Sequence, residues 1–220
     1  MKIIMNVPYV TEELLEINDL AKPNFVNGVI VVDDIYKNYS SIYSMLQNMP
    51  VARWKSSPNG KNFVDYFDCR ATLASPFTIR ENLSIVKLIK SLIKKYFDQD
   101  SVEFENDVLD FGFYKNIKKG LPQALQHFPH KEDSFNCIIY IDQISSGGTA
   151  LYNGAENIVN QEHLNLLYDI SHLSVDLIRS KPNRLVIFPG WIYHGAFIEN
   201  HDSYVDTWRI NQLMFFKIQG

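Results

Sequence analysis

The sequence predicts a mainly β domain of the α+β kind, with an antiparallel barrel or sandwich in its second half braced by helices in its first. Two observations predict it. Before residue 100 the apolar residues recur at helical spacing, whereas after it they alternate or gather into short solid runs. Five such runs follow one another with turn residues between them, the pattern of a closed or two-layered β architecture.

The elements follow in order. "GVIVVDDIY" is a β-branched run closed by two aspartates, read as a strand. "YSSIYSMLQNM" sets Ile42, Met45, Leu46 and Met49 at helical spacing, and Pro50 ends it. "WKSSPNGKN" is a loop broken by Pro58 and Gly60. From Pro76 to Phe97 runs the clearest helix, with Ile85, Leu88, Ile89, Leu92, Ile93 and Phe97 on one stripe and a cap from Thr78 and Glu81. The β runs are "DVLDFGFYKNI", "FNCIIYID", "GGTALY", "RLVIFPG" and "WRINQLMFFKI", interrupted by a helical insertion, "NQEHLNLLYDISHLSVDLI". With no repeat or linker in sight, one domain is expected over 1–220, a helical support region at 1–100 and the β core at 101–220.

Composition removes several function classes. The chain is 46% hydrophobic and 21% charged, the balance of a globular protein. A net charge of −4 provides no basic field for nucleic acid. Lys87, Lys90, Lys94 and Lys95 read as a solvated helix face. Two cysteines make neither a disulfide framework nor a cysteine-rich zinc site. "MKIIMNVPYVTEELLE" turns polar too early for a secretory segment, and no apolar run reaches membrane-spanning length. A soluble cytoplasmic protein is expected, acting on a small molecule or peptide, without a nucleic-acid or membrane partner.

The candidate chemistry lies in the second half. His130 and Glu132 are two apart, so an extended segment points both to one side, where they could grip one ion. His194 follows an apolar strand and a Pro-Gly turn in "RLVIFPGWIYHGAF". Arg209 begins "RINQLMFF", with Asn211, Leu213 and Phe215 on its face, and an inward arginine there needs an anion. Two imidazoles and a carboxylate form the facial triad that suits non-haem Fe(II), and the arginine would hold the distal carboxylate of a chelating co-substrate such as 2-oxoglutarate. A three-histidine zinc site of His127, His130 and His194 is the alternative, but it leaves Arg209 unexplained. Gly147-Gly148 reads as a turn device rather than a phosphate loop.

In order and surroundings these motifs resemble the 2-oxoglutarate/Fe(II)-dependent dioxygenases, on the prolyl-hydroxylase-like side of that superfamily. The His-x-acid element, "IIYID", "GGTALY", "RLVIFPGWIYHG" and "RINQLMFF" carry the resemblance, which is tightest from Phe128 to Phe216. It implies a double-stranded β-helix (jelly-roll, cupin-like) core with flanking N-terminal helices. It further implies His130, Glu132 and His194 as iron ligands, Arg209 on the 5-carboxylate of 2-oxoglutarate, and the Tyr140 hydroxyl on the same group. Asn211 and Trp191 are secondary candidates. The family normally has aspartate at the acid position, so Asp133 is the alternative to Glu132. The retained acid argues against the halogenase variants of this fold. The implied reaction is hydroxylation of a C–H bond in an amino acid, peptide or small metabolite, with release of succinate and CO2. Two rivals stand beside it, a catalytically silent jelly-roll binding module and a cupin-like zinc or manganese enzyme. Of the three, only the oxygenase gives Arg209 a defined anion.

Overall fold

An Asn-Gly turn makes the first hairpin. The computed structural model describes residues 12–48, 67–72, 83–105, 110–115, 126–127, 134–153, 174–204 and 207–219. Strands β1 (Pro23–Val26) and β2 (Val29–Val32) pair antiparallel across Asn27 and Gly28, which take φ of 51° and 76°. A two-residue hairpin loop of that kind needs positive φ at both positions, which asparagine and glycine tolerate best. The strand in "GVIVVDDIY" is therefore β2, and β1 is an additional partner that its own short, polar-flanked sequence does not announce.

Helix α1 (Tyr39–Asn48) buries Ile42 and Leu46 as its spacing predicts. Helix α2 (Ser84–Phe97) starts after Leu83, which has an extended ψ of 137° and caps without a side-chain bond, and the expected start at Pro76 lies outside the described residues. The expected cap from Thr78 and Glu81 lies outside the described residues. The first hundred residues also supply β3 (Phe67–Thr72), so this region feeds strands as well as helices into the fold.

The rest is antiparallel sheet: β4 (Val102–Phe104), β5 (Asp110–Lys115), β6 (Gln126–His127), β7 (Ser134–Tyr140), β8 (Gly148–Asn153), β9 (Ser174–Arg179), β10 (Arg184–Pro189), β11 (Tyr193–Phe197) and β12 (Arg209–Ile218). Strand β9 corrects the helical insertion at its C-terminal end. Ser174 to Arg179 pair residue by residue with β8, and that pairing supplies the ladder bonds β8 would otherwise lack on that edge. Residues 154–173 lie outside the described residues.

Eight strands form one sheet, in the order β1-β2-β10-β7-β12-β5-β3 with β4 also paired to β12, and four form a second, β6-β11-β8-β9. From β5 to β12 the chain alternates between sheets, except that β8 and β9 are neighbours in the second. This is the jelly-roll. Directly opposed residues of an antiparallel pair share a face, so the register sorts the large sheet cleanly. Phe135, Cys137, Ile139, Leu185, Ile187, Ile210, Met214 and Phe216 face α1 and α2 and make the main core with them. Asn136, Ile138, Tyr140, Val186, Phe188, Arg209 and Asn211 face the second sheet. Because β12 is covered on both sides, Leu213 to Phe216 form an unbroken apolar run rather than an alternation.

Gly147 and Gly148 (φ 100° and 155°) turn the chain into β8, and a Cβ on either would collide with a backbone carbonyl, that of Phe197 or Ile178. Among the described residues no helix is long and apolar enough to cross a membrane.

One polar pair is sealed in the helix-facing core. Tyr36 Oη donates to Gln212 Oε1 at 2.6 Å, while Gln212 Nε2 is buried without a partner. Tyr36→Phe is expected to lower unfolding free energy by about 2 kcal/mol in urea denaturation, since it strands both ends of a wholly buried amide. An unchanged midpoint would mean that the amide finds another partner.

Candidate active site

The space between the two sheets is walled by Val29, Tyr140, Leu151, Val186 and Phe188, an apolar cluster. His194 enters from β11. It stands opposite Leu151 of β8 and His127 of β6, and only 5% of it is exposed. The turn before it is fixed by Gly190, whose N–H donates to the Ser134 carbonyl at 2.7 Å and which has no room for a Cβ against Ser134. The same turn presents the Ile192 carbonyl 2.7 Å from His194 Nδ1. A carbonyl only accepts, so a ring proton sits on Nδ1, and in the neutral imidazole Nε2 then carries the lone pair. That tautomer, with its N–H held by a backbone carbonyl, is the state in which an imidazole ligates a metal. The Phe188 ring meets the imidazole edge-on, centroids 4.9 Å apart, and holds its plane.

Arg209 enters from the first position of β12 and is 7% exposed. Its Nη2 donates to the Gly148 carbonyl at 3.4 Å. With the Asn211 amide in the orientation that satisfies both its atoms, Nη1 donates to Asn211 Oδ1 at 2.9 Å and the amide nitrogen donates to the Ile210 carbonyl at 3.2 Å. Among the described residues the guanidinium has no carboxylate partner. A buried cation with only neutral acceptors is costly unless an anion joins it.

The carboxylate nearest in influence is Asp142, just past β7. Its Oδ2 accepts from Ile210 N–H (3.3 Å), and its Oδ1 from Ile144 N–H (3.1 Å) and Tyr204 Oη (3.5 Å). Burial pushes its carboxyl up from 3.8 to about 6, against the opposing pull of Arg209 and these hydrogen bonds.

Tyr140 and Asn211 are cross-strand partners on the interior face, and the Tyr140 hydroxyl is hydrogen-bonded to Thr149 Oγ1 at 2.6 Å. Of the residues singled out in the sequence, the fold thus brings His194, Arg209, Tyr140 and Asn211 to one face-lined interior. Trp191 does not join them, being 41% exposed and packed edge-on against Phe135 of the helix-facing core. His130, Glu132 and Asp133 lie outside the described residues, as do the side-chain contacts of His127. Among the described residues no three His, Cys, Asp or Glu side chains gather closely enough to hold a metal ion.

Sequence reasoning missed Asn136, Thr149 and Asp142. Asn136 had a signal: it is in phase with Ile138 and Tyr140 on an apolar strand, where a polar residue needs a reason to be buried.

No protein-family model matches the chain, and a search of curated proteins finds no match. Solved structures do match. SnoN, a non-heme alpha ketoglutarate dependent epimerase from nogalamycin biosynthesis, superposes with a TM-score of 0.53 at 12% identity, over 87% of this chain and 78% of that one. HygX from Streptomyces hygroscopicus, solved with nickel, 2-oxoglutarate and hygromycin B bound, gives 0.51 at 12% identity, over 87% and 83%. SnoK, a non-heme alpha ketoglutarate dependent carbocyclase, gives 0.50 at 10% identity, over 96% and 87%. At such identities the likeness is one of fold, and the fold is the jelly-roll.

Proposed function

We propose that this protein is a cytoplasmic Fe(II)- and 2-oxoglutarate-dependent oxygenase that hydroxylates a C–H bond of an amino acid, peptide or small metabolite, releasing succinate and CO2. The observation that carries the reading is Arg209, a buried guanidinium without a carboxylate partner among the described residues, opening onto the same interior as a histidine whose Nδ1 is tied to a backbone carbonyl. The solved relatives in fold include proteins described as alpha ketoglutarate dependent, which supports it. Cys137, a buried free thiol, suits a reducing compartment.

His130, Glu132 and His194 would hold the metal, with Asp133 as the alternative acid. When bound, the iron supplies the redox chemistry that couples decarboxylation of 2-oxoglutarate to oxidation of the substrate. The chain's own residues do the rest. Arg209 takes the distal carboxylate, Asn211 holds the guanidinium plane, and Tyr140 lines the same end. Val186, Phe188 and Leu151 exclude water, which strengthens each of these polar contacts.

Adding 2-oxoglutarate to the iron-loaded protein without oxygen should raise a weak visible charge-transfer band, and admitting oxygen should yield succinate. A folded, iron-loaded sample with no band would overturn the reading. The cross-strand placement of His127 against His194 favours one second reading, a zinc site of His127, His130 and His194. That site would neither bind nor consume 2-oxoglutarate.

A further inference from the structure

Asn136 is a buried polar group that the chemistry above leaves unused. It is 2% exposed on the interior face of β7, with Phe188 of β10 and Phe215 of β12 as its cross-strand partners. Nothing in strand pairing calls for an amide there, since its two cross-strand partners are apolar. Its Nδ2 lies 3.4 Å from His194 Nε2, while its Oδ1 is buried without a partner.

The tautomer gives this contact a direction. With the ring proton on Nδ1, Nε2 can only accept, so Asn136 donates to it. That lone pair is the one a metal would take. Metal binding would remove the acceptor from Nδ2, leaving an unsatisfied amide beside the ligand, which a buried site does not tolerate without a replacement partner.

We infer that Asn136 is a co-substrate-binding residue whose amide N–H exchanges acceptors, from His194 Nε2 in the metal-free protein to a carboxylate oxygen of the metal-chelating end of the 2-oxo acid. The inference rests on the reading of His194 as a metal ligand. It has a consequence of opposite signs. In the metal-free protein the amide competes with the metal, and in the loaded protein it assists the oxo acid.

Two equilibrium measurements on the full chain test it, neither of which needs turnover: Ni(II) affinity by chelator competition, and 2-oxoglutarate affinity of the anaerobic Fe(II) protein from its visible band. Asn136→Leu is expected to bind Ni(II) as tightly as wild type or a few-fold tighter, and 2-oxoglutarate about tenfold more weakly, the effect of one hydrogen bond to a charged group. Asn136→Asp keeps the shape and replaces the donor with a negative charge. It should bind Ni(II) more tightly and 2-oxoglutarate more weakly still, and it decides the matter if the leucine variant does not fold. Equal weakening of both ligands would overturn the inference, because Asn136 would then merely hold the His194 ring. Unchanged 2-oxoglutarate affinity would overturn it as well. A wild-type protein that forms no band at all defeats the oxygenase reading itself, an outcome separate from either of these.

Discussion

Arg209→Met is expected to weaken 2-oxoglutarate binding to the iron-loaded protein by roughly a hundredfold, the scale of losing one partner of a buried charge pair. The same change is expected to stabilise the ligand-free protein, because a desolvated charge goes with it. The two signs come from one fact. The guanidinium is 7% exposed and among the described residues hydrogen-bonds only the Gly148 carbonyl and the Asn211 amide oxygen, so the ligand-free fold carries a desolvated charge that Asp142, itself raised to about 6, offsets only through space. Methionine fills much of the same space without that charge. Stability is best compared by urea denaturation at about pH 5, where Asp142 is mostly protonated and loses little when its positive neighbour goes. A variant that is less stable yet binds 2-oxoglutarate unchanged would make Arg209 a hydrogen-bonding brace for the start of β12 and remove the anion site.

The parts of this fold that sequence reasoning reached are those buried on both faces or packed on one. Strands β7, β10 and β12 each carry an unbroken apolar stretch because helices cover one side and the second sheet the other. Helix α2 read as one stripe because it buries one face on the large sheet. Strands β4 and β6 are three and two residues long, below any periodic signal. Strand β9 carries apolar residues that also fit a helical stripe, and its pairing with β8, a tertiary fact, decided between the two. The site divides in the same way. His194 and Arg209 stood out because a turn or a strand start framed each of them. Asn136 and Asp142 gained their meaning only from partners far along the chain, His194 and the backbone of Ile210, that no local pattern joins to them.

Asp142 gives the clearest dependence on pH. Its carboxyl is raised from 3.8 to about 6 chiefly by desolvation, with Arg209 and three hydrogen bonds opposing. An acid whose folded value exceeds its unfolded one binds its proton more tightly when folded. Its contribution to stability is therefore fully present below about pH 4, declines as pH rises, and is lost above about pH 6. A shift of that size corresponds to about 3 kcal/mol. Asp142→Asn keeps one oxygen acceptor and cannot ionise, so it loses a hydrogen bond at every pH but escapes the desolvation cost at neutral pH. The stability of wild type minus that of Asp142→Asn is accordingly expected to fall by about 3 kcal/mol between about pH 4 and pH 7, measured by urea denaturation across the series. Histidines and other carboxylates titrate alike in both proteins and cancel in the difference. A flat difference would show that Asp142 titrates as an ordinary solvated carboxylate, with water reaching the start of β12. Arg209 would then be less desolvated too, and the cost that makes its anion necessary would shrink with it.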